Sequence, residues 1–241
     1  MDDHRILTNA SELKGRIQNF HAVDVPHAIL VCAILKWEEV SKRDLRPEDF
    51  ESTSFLEFVD DQIRQLGSVE GLSGGRTFAF KKLGSMVDYI ASRGHSISRT
   101  KLNKLLFYSD FVNYFLHGES ITGSRYVHLH YGPVAEHYRE TLEIMEDEAA
   151  LRLVNVRGHD ELVAVGDKSL KFLTILNVAT INWVLGNFGK MSAQEISDYS
   201  HREYALLLTH EGEFIPYRFA SFLQKLPNQP PLNARSSEAG G

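Results

Sequence analysis

Thr100 to Tyr138 constrains the fold of this chain more than any other stretch. In TKLNKLLFYSDFVNYFLHG, Leu102, Leu105, Leu106, Val112 and Phe115 recur close to helical spacing, and Gly118 ends the pattern at a C′-like position. The chain resumes at Ile121-Thr122-Gly123, reads as a strand over 124–131, and passes through Tyr131-Gly132-Pro133 into another helical pattern. A long helix, a turn, a strand and a Gly-Pro step into a helix hold no evident nucleophile, metal cage or phosphate cradle. The segment therefore reads as a surface that recognises another molecule.

The same periodicities predict a buried helix over 26–43 and further helices over 54–66, 80–92, 134–148, 169–186 and 192–201. Ser192 with Glu195 three residues on is a capping box at the start of the last. Two short apolar runs, 151–156 and 161–165, read as a hairpin. The expected fold is α+β, predominantly helical with a small antiparallel sheet and a short helical N-terminal extension. Four glycines in GSVEGLSGG form the best candidate linker. The expected division is an acidic helical region over 1–75, a domain over 76–226 and a disordered tail over 227–241.

Charge sharpens that division. Residues 1–75 hold 14 Asp/Glu against 8 Lys/Arg, whereas the remainder is balanced, so the formal net charge of −6 resides in the first part. Neither part has the basic excess of a nucleic-acid-binding domain, and direct nucleic-acid binding is not expected. A solvated helix start explains the locally basic cluster Arg93, Arg99, Lys101 and Lys104 at least as well as a phosphate contact does. Cys32 stands alone in the apolar run AILVCAIL, which excludes an intrachain disulfide and reads as a buried small residue. The N-terminus is polar and acidic, unlike a secretory signal, and the longest apolar run is too short for a bilayer. A cytoplasmic protein without membrane contact or cofactor is the expectation.

Three residue sets invite chemistry. His128 and His130 alternate on the expected strand and His137 follows, so an open zinc site for a metal-dependent hydrolase is conceivable, although no HExxH pattern accompanies them. Ser200 and His201 are adjacent on a helix and point roughly 100° apart, which defeats nucleophile–base pairing. GESITG lacks the lysine of a phosphate loop. The aromatics are more telling: Phe107, Phe111 and Phe115 suit a core, whereas tyrosines such as Tyr108, Tyr131 and Tyr138 suit the rim of a recognition groove.

These residues resemble the Panacea antitoxin family, which includes SocA-like and GepA-type phage-associated proteins. Lys101-Leu102-Asn103-Lys104-Leu105-Leu106-Phe107-Tyr108, followed by Asp110-Phe111, is similar to its helical signature. The GESITG turn leading to Tyr131-Gly132-Pro133 is the second element. Met191 to Glu195, continuing to Ser200-His201-Arg202-Glu203 and then Ile215-Pro216-Tyr217, is the third. Leu206 stands where members often carry Trp. The resemblance spans about residues 82–218 and leaves out residues 1–75. It implies an antitoxin of a bacterial, phage-defence type that binds a cognate toxin encoded by an adjacent gene, or an adaptor that delivers the toxin to an ATP-dependent protease. The motifs supply no catalytic residue. Tyr108, Asp110, Tyr131, Tyr138, Ser200, His201 and Glu203 are the expected partner-binding positions. Lys101, Leu102, Lys104, Leu105, Gly132, Pro133, Ser192 and Glu195 are the expected structural ones.

Overall fold

A computed structural model describes residues 3–21, 27–66, 68–94, 96–148, 150–156, 159–165 and 170–228. The tail expected to be disordered lies outside the described residues from 229 onward. The elements run α1 (Asp3–His21), α2 (His27–Ser41), a 3-10 turn (Pro47–Glu51), α3 (Thr53–Leu66), α4 (Val69–Ser73), α5 (Phe80–Arg93) and α6 (Arg99–His117). Then come β1 (Tyr126–Leu129), β2 (Gly132–Ala135), α7 (Tyr138–Asp147), β3 (Leu151–Val156) and β4 (His159–Ala164). α8 (Ile175–Phe188), α9 (Ala193–Ser200), α10 (Tyr204–Leu207) and a 3-10 turn (Tyr217–Phe222) complete it. The fold is predominantly helical α+β, as the periodicities predict, and it holds two antiparallel two-stranded ribbons, β1–β2 and β3–β4, where one small sheet is expected.

α6 is the axis of the molecule. Every residue from Lys101 to Asn113 is buried, polar ones included. α5, α8, α9, β2 and the 217–222 turn surround it. Its start is capped by Ser98, whose side chain accepts from Lys101 N, and its end by Gly118 in the left-handed conformation. A helix enclosed on all faces needs every polar side chain matched or its cost absorbed elsewhere. The solvated helix start expected at Lys101 and Lys104 is therefore corrected: both ammonium groups are interior.

β2 corrects a second expectation. Gly132 and Pro133 do not turn a strand into a helix; they lie within a strand, paired with Leu129 and His128 of β1. The turn sits one step earlier, at His130-Tyr131, and α7 starts only at Tyr138 because Val134 and Ala135 still pair with β1. Pro133, having no N–H to give, fits a strand with one edge outside the ladder. Gly132 is required by proximity: at φ +97 a Cβ there would lie 2.8 Å from Ser200 Oγ and 2.9 Å from Lys104 Cε. α8 likewise starts late, at Ile175, because Thr174 and Asn177 close a capping box.

The N-terminal helices were only partly foreseen. α1 was not expected from its polar sequence, yet Ile6, Ala10 and Leu13 form a minimal buried stripe. Trp37 of α2 packs edge-on against Phe55 and Phe58 of α3, with ring centroids 5.1 and 5.3 Å apart. Described residues of the glycine-rich stretch, expected to be a linker, are folded and attached. Val69–Ser73 is a helical turn capped by Ser68, and Gly74 O accepts from Ser120 N at 2.8 Å. Gly74, at φ +66, leaves no room for a Cβ, which would meet Ser120 Cβ and the Tyr217 ring at 2.8 Å. Arg218 Nη2 reaches Glu39 Oε2 at 2.7 Å, and buried apolar residues from Ile6 to Leu223 form one cluster.

This packing predicts unequal glycine substitutions. Gly74→Ala combines left-handed strain with overpacking against a fixed ring and costs about 3 kcal/mol. Gly118→Ala has open space around it and costs about 1 kcal/mol. Urea denaturation of the two variants checks this, and equal losses would show the Gly74–Tyr217 contact to be loose.

Candidate functional site

The three signature segments meet on one side of α6. Lys101, Lys104 and Tyr108 follow each other at helical spacing toward α8, α9 and β2. Lys101 Nζ donates to Gly189 O at 2.8 Å, satisfying a carbonyl just past the end of α8. Tyr108 stacks on Phe188 with centroids 4.3 Å apart, and its hydroxyl donates to Glu203 Oε1 at 3.2 Å. The other Glu203 oxygen accepts from Gln224 N at 2.9 Å. Burial pushes the Glu203 carboxyl up to about 7, against the pull of those two bonds.

Lys104 is the odd member. It is 1% exposed, lies beside Gly132 and Ser200, and has no ion pair among the described residues. Burial alone lowers its ammonium to about 8. Over it sits the His130-Tyr131 turn, held down from α9. Ser197 Oγ donates to Tyr131 O at 3.1 Å, and the His201 ring nitrogens lie 2.8 Å from Ser197 O and 3.2 Å from His130 O.

The structure separates the expected partner-binding residues. Tyr108, Asp110, Ser200 and Glu203 are interior and present no surface in the free chain. Asp110 is consumed by the GESITG turn, accepting from Ile121 N, Thr122 N, Thr122 Oγ1 and Tyr126 Oη at 2.5–2.9 Å. Tyr131, in contrast, is 68% exposed at the tip of the β1–β2 ribbon, with Leu129 also exposed beside it. His201 is half-buried beneath that tip. Tyr138 lines a shallow groove of about 290 Å³ along the ribbon's outer face, with Val127, Leu129, Val134 and Arg139. Of the seven, Tyr131, Tyr138 and His201 reach the surface.

The structural set divides differently. Leu102 and Leu105 are core, and Ser192 and Glu195 form the expected box, with Glu195 N to Ser192 Oγ at 3.2 Å and Ser192 N to Glu195 Oε2 at 2.7 Å. The three histidines do not converge. His128 Nδ1 lies 3.0 Å from both Thr209 oxygens, while the His137 ring packs tilted against Phe78 with centroids 4.6 Å apart. Among the described residues no group of three His, Cys, Asp or Glu can hold a metal ion, and no described helix is long and apolar enough to cross a membrane.

At neutral pH the interior thus holds a lysine and a glutamate whose charged forms are both disfavoured, which fixes a pH profile. Glu203 is raised from 4.5 in the folded state, so stability falls as pH rises from about 4.5 to about 7 while the unfolded chain alone releases its proton. Lys104 is lowered from 10.5, so stability returns as pH rises from about 8 to about 10.5. Each limb amounts to roughly 3 kcal/mol. Thermal denaturation across this range is expected to lose the acid limb in Glu203→Gln and the alkaline limb in Lys104→Met. A Lys104→Met profile identical to that of the parent would disprove the buried ammonium.

Residues 102–205 match the family model described as Antitoxin SocA-like, Panacea domain. No curated protein and no solved structure gives a significant match. The matched span begins within α6 and ends in α10, enclosing the Lys104–Gly132–Ser200 contact and the Tyr108–Glu203 bond. Over residues 102–205, the chain is similar to the Panacea domain of SocA-like antitoxins.

Proposed function

We propose that the chain neutralises a cognate toxin, encoded by an adjacent gene, through direct contact at the tip and outer face of the β1–β2 ribbon. The observation that carries this is Tyr131: a large side chain left 68% exposed on a turn that α9 fixes from below. A rigid aromatic with an apolar body and a polar tip is a favourable anchor, because little conformational entropy is lost when it is covered. Tyr138 and Leu129 extend the same face, and His201 supports it. The interior motif residues act one step removed, since Lys104 and Ser200 lie against Gly132 of the ribbon and the Tyr108–Glu203 bond ties the chain just past α9 to α6. In this reading the protein works in the cytoplasm of a bacterium, in the setting of phage defence, and needs no cofactor. The acidic region over 1–75 contributes long-range attraction toward a basic toxin surface.

Co-expression with the neighbouring gene tests the assignment. The neighbour alone arrests growth and this chain restores it; a harmless neighbour sinks the proposal. Tyr131→Ala with Tyr138→Ala leaves the fold intact by circular dichroism and weakens toxin binding by roughly 30-fold or more, as expected for two central anchors. Full affinity in that folded double variant moves the contact elsewhere.

A further inference from the structure

α8 is the most apolar helix of the domain, and its first turn points the wrong way for a core. Thr174 and Asn177 close a capping box. Leu173 and Val178 both pack on the core in the positions of a hydrophobic staple. That geometry fixes the rotation of the helix and sends the two residues between outward. Ile175 is 88% exposed and Leu176 more than half exposed. Leu170 and Phe172, from the preceding segment, are exposed beside them, and Ala179 continues the open face one turn on. Single exposed apolar residues need no explanation, but a contiguous group on a fixed helix start does.

Among the described residues, cations gather on this group; the carboxylates that act on Lys82 are Glu119, itself paired with Arg76, and the interior Asp110. Lys81 Nζ and Lys171 Nζ each lie 5.5 Å from the centre of the Phe172 ring. Lys82 Nζ donates to Asn177 Oδ1 at 3.1 Å, joining the first turns of α5 and α8. Neither first turn contains an acidic residue, so two helix N-termini add their partial positive charge to the same place. No ion pair among the described residues involves any of these three lysines. In a part of the chain whose charges otherwise balance, Lys81 and Lys171 give these exposed apolar side chains a local positive charge.

We infer that the α5–α8 N-terminal face is a docking surface for an acidic amphipathic helix of a partner protein. Its apolar side would cover Ile175, Leu176 and Phe172, and its carboxylates would pair with Lys81 and Lys171. The face shares no residue with the β1–β2 ribbon and does not depend on the toxin assignment. Charge excludes the other occupants. A second copy docked about a two-fold axis would bring the lysines against themselves. An extended anionic membrane surface would meet the net negative charge of the whole chain, whereas a single helix meets only the local patch.

The test uses a synthetic helical peptide of roughly 18 residues, with leucines at i, i+3, i+4 and i+7 flanked by glutamates. A second peptide carries lysine for each glutamate, and anionic vesicles of phosphatidylglycerol with phosphatidylcholine form a third arm. Fluorescence titration is expected to show the acidic peptide binding and the basic one failing. Ile175→Ser with Leu176→Ser is expected to weaken the acidic peptide at least 10-fold. Lys81→Glu with Lys171→Glu is expected to weaken it and admit the basic peptide. These are surface substitutions, checked for fold by circular dichroism. Absence of binding by the acidic peptide, indifference to the serine pair, vesicle binding that the serine pair abolishes, or self-association that it abolishes would each overturn the inference.

Discussion

Asp110 is the fixed point from which the domain is laid out. Its carboxylate, buried at the middle of α6, accepts two backbone N–H groups and two hydroxyls from Ile121, Thr122 and Tyr126. Burial raises its pKa while those four bonds pull it back. An interior carboxylate left without such partners is strongly unfavourable, so any arrangement that loses the GESITG turn loses the site for that charge. The turn in turn places Tyr126 at the start of β1, where it packs against Phe107, Phe111 and Tyr217. The ribbon, its exposed tip and the residues beneath it therefore inherit their positions from one side chain. Partner contact, expected at Asp110 from its place in a motif, gives way to this positional role.

Two kinds of pattern separated what the amino-acid order revealed from what it concealed. Elements with a one-sided stripe or a chemical cap were readable: α3, α5 and α6 lie within a residue or so of expectation, and Ser192 with Glu195 caps α9 as read. Where both faces are covered, the code failed. Lys101, Asn103 and Lys104 have the spacing of a solvated stripe, yet they are buried because α8, α9 and β2 close over them. β2 was hidden for a related reason: Gly-Pro is ordinary turn chemistry, and only the third dimension shows Gly132 pressed against Ser200 and Lys104.

The same distinction explains the site. The segments singled out in the sequence, α6, the ribbon and α9, do converge, but their order does not rank their members by exposure. Motif residues that draw the eye, such as Tyr108 and Glu203, are spent on each other in the interior. Tyr131, with no distinguishing pattern beyond its neighbours Gly132 and Pro133, is the most exposed of them. Exposed apolar positions on α8 were invisible because an all-apolar helix reads as core, and nothing local reports which turn is left uncovered.

The seat of Gly74 against Tyr217 has a consequence in time. The two residues are far apart in the chain, so their contact belongs to the late, high-contact-order part of assembly. During synthesis, α1 to α4 emerge long before the aromatic ring on which Gly74 closes, and Arg218, which holds Glu39, emerges with that ring. The helices near the N-terminus cannot complete these contacts until Tyr217 and Arg218 are available to them. A chain halted earlier lacks the clasp. The first-made part of the protein thus closes its packing on a segment made far later.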